Sequence, residues 1–284
     1  MLFYRIVSWL PLPLLYGGAW VVYLITYHVA GYRKAVVMDN LREAFPDKSA
    51  REITVLAKKF YRQLAEVSVE IIRGRRMTQN DYRARVTLRN PELVRACSDN
   101  FQHSIIVMAI HQGNWEWMLH GATSTLDFPI DPVYKPLHNR SADRFIYELR
   151  SQFGARPVPV AEAARDILRN RRTARIIAMV ADQAPIRRER TLWTPFMHRE
   201  AAFYLGAEAL ARTAGFPVLF ASCHRRSRGH YEVEFHEVAR PPYGNDDHEI
   251  TRRFVTLAEQ AIRKEPQSWL WSNRRWKRNR ETSS

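Results

Sequence analysis

The sequence predicts an α/β fold, a central and mostly parallel mixed sheet flanked by helices, preceded by an N-terminal hydrophobic membrane helix. Three observations carry this reading. Residues 6–32 hold no Lys, Arg, Asp or Glu across 27 positions. Nearly continuous apolar runs rich in β-branched residues occur at 104–110, 175–181 and 216–223, the pattern of strands covered on both faces. Helical patterns at 161–168 and 201–213 precede the second and third runs, the alternation that crossover connections produce.

Taken in order, Pro11 and Pro13 separate the first apolar residues from a 17-residue helical core at 14–30, which is marginally long enough to span a bilayer. Tyr16, Trp20, Tyr23 and Tyr27 suit an interface, and the end of the stretch offers no small-x-small cleavage site. Residues 36–45 read as a short helix or connector. Ser49, with Glu52 three residues on, opens a helix whose apolar positions run Ile53, Leu56, Phe60, Leu64 and Val67. Residues 82–88 read as a peripheral strand, and Pro91 starts a short helix to Cys97. Residues 231–235 alternate in polarity, as an antiparallel edge or surface strand does. A last helix runs over 247–264 to Pro266, and the tail is dense in Trp and Arg, suited either to a membrane interface or to packing over the domain edge. The chain divides into a membrane-associated segment, 1–34, and a catalytic-size domain, 35–284.

Composition excludes several classes. Two cysteines in 284 residues rule out a disulfide scaffold, and 46% hydrophobic residues rule out disorder. A net charge of +15 favours a polyanionic partner: nucleic acid, an acidic protein or anionic lipid. There is no P-loop, Rossmann fingerprint or Gly-x-Ser-x-Gly elbow, and the ten histidines form no compact metal-ligand pattern, so neither metal nor cofactor is expected.

The sharpest local signal is His111-Gln112-Gly113-Asn114-Trp115-Glu116, directly after the first buried run. With His111 in a turn and Glu116 at the start of a helix, the carboxylate can hold one imidazole nitrogen and leave the other as a base. A regular helix would set the two about 140° apart, so this pairing needs an irregular helix start. The alternative is a buried capping histidine beside a surface glutamate. Asp182-Gln183 follows the second run, either as site residues or as an Asx turn before Pro185. Cys97 and Cys223 are read as packing residues.

The His111 to Glu116 segment resembles the His-x4-Asp/Glu signature of the lysophospholipid acyltransferase superfamily, and the chain resembles its bacterial lipid A late-acyltransferase branch over nearly its full length. Further segments agree: Asn40-Leu41-Arg42-Glu43-Ala44-Phe45-Pro46, Val133-Tyr134-Lys135-Pro136-Leu137, Asp182-Gln183, and the tail from Pro266 to Lys277. The resemblance implies an acyltransferase-like fold and transfer of a fatty acyl group from acyl carrier protein, or from acyl-CoA, to a hydroxyl of a lipid A precursor. Phosphatidylinositol mannosides and ornithine-type lipids are alternative acceptors. It implies His111 as general base, Glu116 as its orienting partner, and Arg150, Asp182, Gln183 and Asn114 as substrate-binding or oxyanion candidates. Arg165, Arg169, Arg171 and Arg172 are candidates for a donor or lipid phosphate, and the cytoplasmic face of the membrane is the expected location. Thr194-Pro195-Phe196-Met197-His198-Arg199 departs from a Phe-Phe-Gly-like segment of relatives. The competing class is a non-enzymatic basic protein that binds membrane or nucleic acid.

Overall fold

The computed structural model describes residues 2–278 except 187, 188 and 247. The chain opens with α1 (Leu2–Val7) and α2 (Leu12–Leu24), which Pro11 and Pro13 start and which continues as a π-helical turn, Ile25–Val29. Leu12–Val29 is long and apolar enough to cross a membrane, and only 22% of it is buried. Its buried residues face α4 (Ala50–Gly74), which follows α3 (Lys34–Ala44). Ser49 and Glu52 form the expected capping box at the start of α4.

Next come α5 (Gln79–Arg85), β1 (Val86–Leu88) and α6 (Pro91–Cys97). Residues 82–85 are therefore helical, not strand. Thr78 and Asp81 form a second capping box, and Tyr82 is buried with its hydroxyl donating to the Gly74 carbonyl at 3.0 Å. Then follow β2 (Ile105–Ala109), α7 (Trp115–Thr125), β3 (Ile130–Tyr134), α8 (Arg140–Arg150), β4 (Val158–Pro159), α9 (Val160–Arg169) and β5 (Ile176–Val180).

A two-stranded hairpin, β6 (Thr191–Phe196) and β7 (Arg199–Tyr204), precedes α10 (Gly206–Ala214). The helical reading of 201–213 thus fails in its first five residues, of which 201–204 are strand. Met197 and His198 both take positive φ, 52° and 64°, which is the two-residue turn that matches strand twist and pins Ala201, Ala202 and Phe203 into a strand. Phe196 and Met197, within the departing segment, are buried in the core. Last are β8 (Val218–Ser227), β9 (His230–Ala239) and α11 (Glu249–Lys264). Asp247, the expected start of that last helix, lies outside the described residues, as do Arg187 and Arg188.

The seven-stranded sheet runs β1-β9-β8-β2-β5-β3-β4. Every neighbouring pair is parallel except β8 with β9. β9 is antiparallel as its alternation predicts, but β1 covers it, so it is not an edge. All five residues of β2 are buried. Ile106 and Met108 pack on the face shared with α9, α10 and α11, while Ile105 and Val107 pack on the opposite face with α5, α6 and α7. Trp269, Trp271 and Trp276 are buried in the first of these cores, so the tail packs against the domain rather than presenting its indoles outward.

Candidate active site

β2 and β5 lie side by side in parallel register, Ala109 opposite Val180, and the ladder continues one step as Ala181 N–H donates to the Ala109 carbonyl at 2.9 Å. The residues that follow each strand, His111 and Asp182, therefore emerge together at the carboxyl edge of the sheet, where α/β folds collect ligands. His111 Nδ1 lies 2.6 Å from Asp182 Oδ1, and the His111 backbone N–H donates to Asp182 Oδ2 at 3.1 Å. Trp269 Nε1–H donates to the same Oδ2 at 2.7 Å. Asp182 is 2% exposed. Burial pushes its carboxyl up, but the facing imidazole and these hydrogen bonds outweigh that and leave it below its ordinary value. An ionised carboxylate on Nδ1 fixes the tautomer with the proton there and leaves the Nε2 lone pair outward. Gln183 Nε2 lies 3.4 Å from that Nε2.

Glu116 does not orient His111. Its carboxylate accepts a two-pronged bond from Arg150, Nε to Oε2 at 2.9 Å and Nη2 to Oε1 at 2.5 Å, with Trp115 Nε1 adding a third bond at 3.1 Å. Asn114 caps α7 and Glu116 already lies in its first turn, so its direction around the helix axis is set by the helix, while His111 lies before the cap. Burial raises the Glu116 carboxyl and the Arg150 charge lowers it further, leaving it below its ordinary value. The pairing inferred from spacing is thus replaced by two separate pairs, His111 with Asp182 and Glu116 with Arg150.

Asn114 is also reassigned. It is fully buried, its Oδ1 accepts the Trp117 N–H at 3.0 Å, and its Nδ2 donates to Glu70 Oε2 at 3.0 Å, so it builds the turn instead of facing a substrate. Glu70, which sequence reasoning passed over, also accepts from the Tyr16 hydroxyl at 2.8 Å and from Tyr231, tying α2 to the start of α7. Gly113 sits at φ +60°, and a Cβ there would meet the Cys223 carbonyl oxygen at 2.6 Å. Cys223 itself is buried, and burial pushes its thiol up to about 12, as suits a packing residue.

Behind His111 opens a cavity of about 570 Å³ lined by His111, Glu116, Arg150 and Gln183 at one end and by Leu126, Ile130 and Ile176 at the other. It runs between the sheet and α7, with Ala109, Ala178 and Ala221 on three adjacent strands leaving the space that larger side chains would fill. Ile176 and Val180 bound β5, so the cavity follows a whole strand, roughly 15 Å at the usual strand rise. His111 retains 17% exposure of its side chain and is not sealed.

Arg165, Arg169, Arg171 and Arg172 do not join this site. Arg165 and Arg169 are exposed on α9, and Arg171 and Arg172 line a separate depression beside His103 and Gly215, at the amino-terminal edge of the sheet. For Arg171 and Arg172 the edge is the wrong one: β5 stands between them and His111.

Among known families, the model described as bacterial lipid A biosynthesis acyltransferase matches residues 2–278. The chain belongs to that family. No curated protein matches it. As a lipid A biosynthesis acyltransferase it is an enzyme of acyl transfer, and the deep apolar cavity behind a histidine and carboxylate pair has the form such chemistry requires. The signature read from His111 to Glu116 takes one residue from each of two separate side-chain pairs. The contribution of Trp269 to one of them was carried in sequence only by the tail's likeness to the family.

Proposed function

We propose that the protein transfers a fatty acyl group from an acyl carrier protein thioester to a hydroxyl of a lipid A precursor, with His111 as general base and no covalent intermediate. His111 Nε2 takes the proton of the acceptor hydroxyl while its oxygen forms a bond to the thioester carbonyl carbon. The C–S bond then breaks, and the imidazolium returns the proton to the leaving thiolate. Asp182 holds the ring and stabilises the imidazolium. The observation that carries this reading is the buried carboxylate 2.6 Å from Nδ1 at the mouth of an apolar cavity.

The tetrahedral intermediate needs a donor for its oxyanion. Three successive backbone amides of the turn are engaged: His111 with Asp182, Gln112 with the Ile110 carbonyl, and Gly113 with the Ser268 carbonyl. Among the described residues, Arg150 and Lys135 are the Arg and Lys side chains on the cavity wall, and Arg150 is the one held in place by a carboxylate. Glu116 grips its Nε and Nη2 and leaves Nη1 outside the fork. Arg150 is accordingly assigned to the oxyanion or to an acceptor phosphate, and Glu116 to holding it.

In this reading residues 1–34 attach the enzyme to the cytoplasmic membrane and residues 35–284 work on its cytoplasmic face. The exposed apolar side chains Trp9, Leu14, Val21 and Val29 support attachment. The test crosses acyl carrier protein and acyl-CoA thioesters with lipid A precursor, phosphatidylinositol mannoside and ornithine lipid, with product mass as readout. His111→Ala should stay folded and membrane-bound and lose transfer by roughly 10²-fold or more. Normal turnover in that variant would refute the base assignment.

A further inference from the structure

A second cavity, of about 500 Å³, adjoins the first, and Gln183 and Leu270 form walls of both. Its character differs. Where the first is a deep apolar slot, the second is bounded by the hydroxyl-bearing Ser68 and Thr26, by Arg33, and by Asn273, with Val22 and Leu64 on its remaining sides. Val22 and Thr26 belong to α2 and the π-helical turn after it, so this cavity opens against the very helix whose outer side is apolar and exposed. Tyr61, on its α4 side, donates its hydroxyl to the Tyr32 carbonyl at 2.5 Å and fixes the turn that presents Arg33.

The polar groups here have capacity to spare. Arg33 donates from Nη1 to the Ser272 carbonyl at 2.9 Å, and among the described residues no carboxylate is within ion-pair distance of it. Asn273 uses its backbone carbonyl to accept from Asn40 and its N–H to reach the Leu270 carbonyl, while its side-chain amide has no partner among the described residues. A guanidinium and a free amide are donors for a phosphorylated, hydroxyl-rich headgroup, and the Ser68 and Thr26 hydroxyls, which donate to the Leu64 and Val22 carbonyls, add acceptor oxygens. Direct transfer also requires two substrates to reach His111 Nε2 at once, from different sides, and the shared Gln183 and Leu270 wall is where two such lobes meet.

We infer that this second cavity binds the polar headgroup of the acceptor lipid, with Arg33 on an anionic oxygen, Asn273 on a hydroxyl, and the acceptor's own chains lying along the exposed side of α2. The first cavity is then left to the donor's acyl chain. The inference rests on the acyl-transfer reading above but assigns residues that reading does not use. It also gives the π-helical turn a purpose, since such turns occur where a helix flank is shaped for function.

Two variants test it: Arg33→Gln, which removes the cation, and Ser68→Trp, which fills the cavity from an exposed position on α4. Acceptor is offered as a phosphorylated disaccharide lipid in phosphatidylcholine vesicles and, separately, as the same phosphorylated disaccharide without acyl chains. Donor binding is followed with a non-cleavable thioether analogue of the acyl donor. Arg33→Gln should raise the acceptor KM roughly tenfold or more, for lipid and free headgroup alike, with the analogue's Kd within about twofold of wild type. Ser68→Trp should abolish transfer to either acceptor and still bind the analogue. An unchanged acceptor KM in both variants overturns the inference while leaving His111 as base; so does an effect on the lipid alone, which would assign the cavity to chains instead of headgroup. Loss of analogue binding in both variants overturns it as well, because the cavity would then serve the donor. Failure of the acyl-transfer reading shows separately, as retained turnover in His111→Ala.

Discussion

Asp182→Asn discriminates most directly between the two carboxylates at the site. Both the His111 backbone N–H and Trp269 Nε1–H donate to Oδ2, at 3.1 and 2.7 Å, so the substituted side chain keeps its oxygen there. Its amide nitrogen must then take the place of Oδ1, 2.6 Å from His111 Nδ1. An N–H pointed at Nδ1 makes that atom an acceptor and drives the imidazole proton to Nε2, where the lone pair is needed. The ring stays in place and the base is lost. The same tautomer inversion in a Ser-His-Asp triad lowers kcat about 10⁴-fold, equivalent to about 5.4 kcal/mol of transition-state stabilisation. The assay is single-turnover transfer of a labelled acyl group at saturating acceptor, alongside a thermal melt to show that the fold persists. We expect a fall on the order of 10⁴ in rate with the KM for both substrates little changed. Transfer within tenfold of wild type, together with collapse in Glu116→Gln, would return the orienting role to Glu116 and refute the argument.

The Glu116 and Arg150 pair is buried on the carboxylate side, so Glu116→Gln leaves a guanidinium without its counter-charge and should lower stability by roughly 3 kcal/mol, read by urea melts. The double variant Glu116→Gln with Arg150→Met should regain much of that stability and remain inactive; an active double variant would reduce the pair to scaffolding. His120, one turn beyond Glu116, gives a pH signature. It is fully buried, neither ring nitrogen has a hydrogen-bond partner among the described residues, and burial holds its pKa down at about 4 against 6.5 for the ordinary side chain. Below about pH 6.5 the unfolded chain takes up this proton and the folded chain does not, so its contribution to stability is complete above that pH and is lost as pH falls towards 4, by up to about 3 kcal/mol. Melts of His120→Phe and wild type at pH 4.5 and 7.5 should show a shallower acid loss in the variant; parallel slopes would exclude His120 as a source.

Much of the scaffold was legible because its signals are local. A run such as Ile105-Ile106-Val107-Met108-Ala109 has one stable home, the centre of a sheet, and Ser49 with Glu52 forms its cap from residues three apart. The site was legible only as far as locality reaches. His111 stands out because it ends a buried strand, and Glu116 because it lies nearby in sequence. The true partner of His111 is 71 residues away and is brought to it by register between β2 and β5, which no spacing rule encodes. The tail was ambiguous for a related reason. An indole next to a guanidinium reads as an interfacial pair, yet Trp269 turns inward and gives Asp182 a third hydrogen bond, and Asn40 of α3 holds the following backbone through the Trp271 and Asn273 carbonyls at 2.9 and 3.0 Å. The strand at 199–204 was hidden by alanines, whose preference for helix gave way to a hairpin turn and a buried face.

The net charge of +15 invites the inference of a broad docking surface, but the structure divides that charge between inside and outside. Arg175 lies buried with Asp131 at 2.7 Å, and Arg225 is paired with Glu66 at 2.7 Å. Arg275 is 1% exposed, stacked 4.2 Å over Phe203 with a bond to the Ala202 carbonyl, and burial pulls its pKa down to about 10. These arginines fill and fasten the core; they are not free to meet an acidic partner. The four on α9 and the turn after it are exposed, but none lines the cavity behind His111, and Arg171 and Arg172 stand at the far edge of the sheet. On the proposed function, a carrier whose thioester arm must reach His111 has to settle where the cavity opens. Among the described residues, the exposed Lys135 is a cation that lines this cavity. Electrostatic attraction screened over about 8 Å acts only where the partner makes contact, so position at the rim outweighs the number of arginines elsewhere.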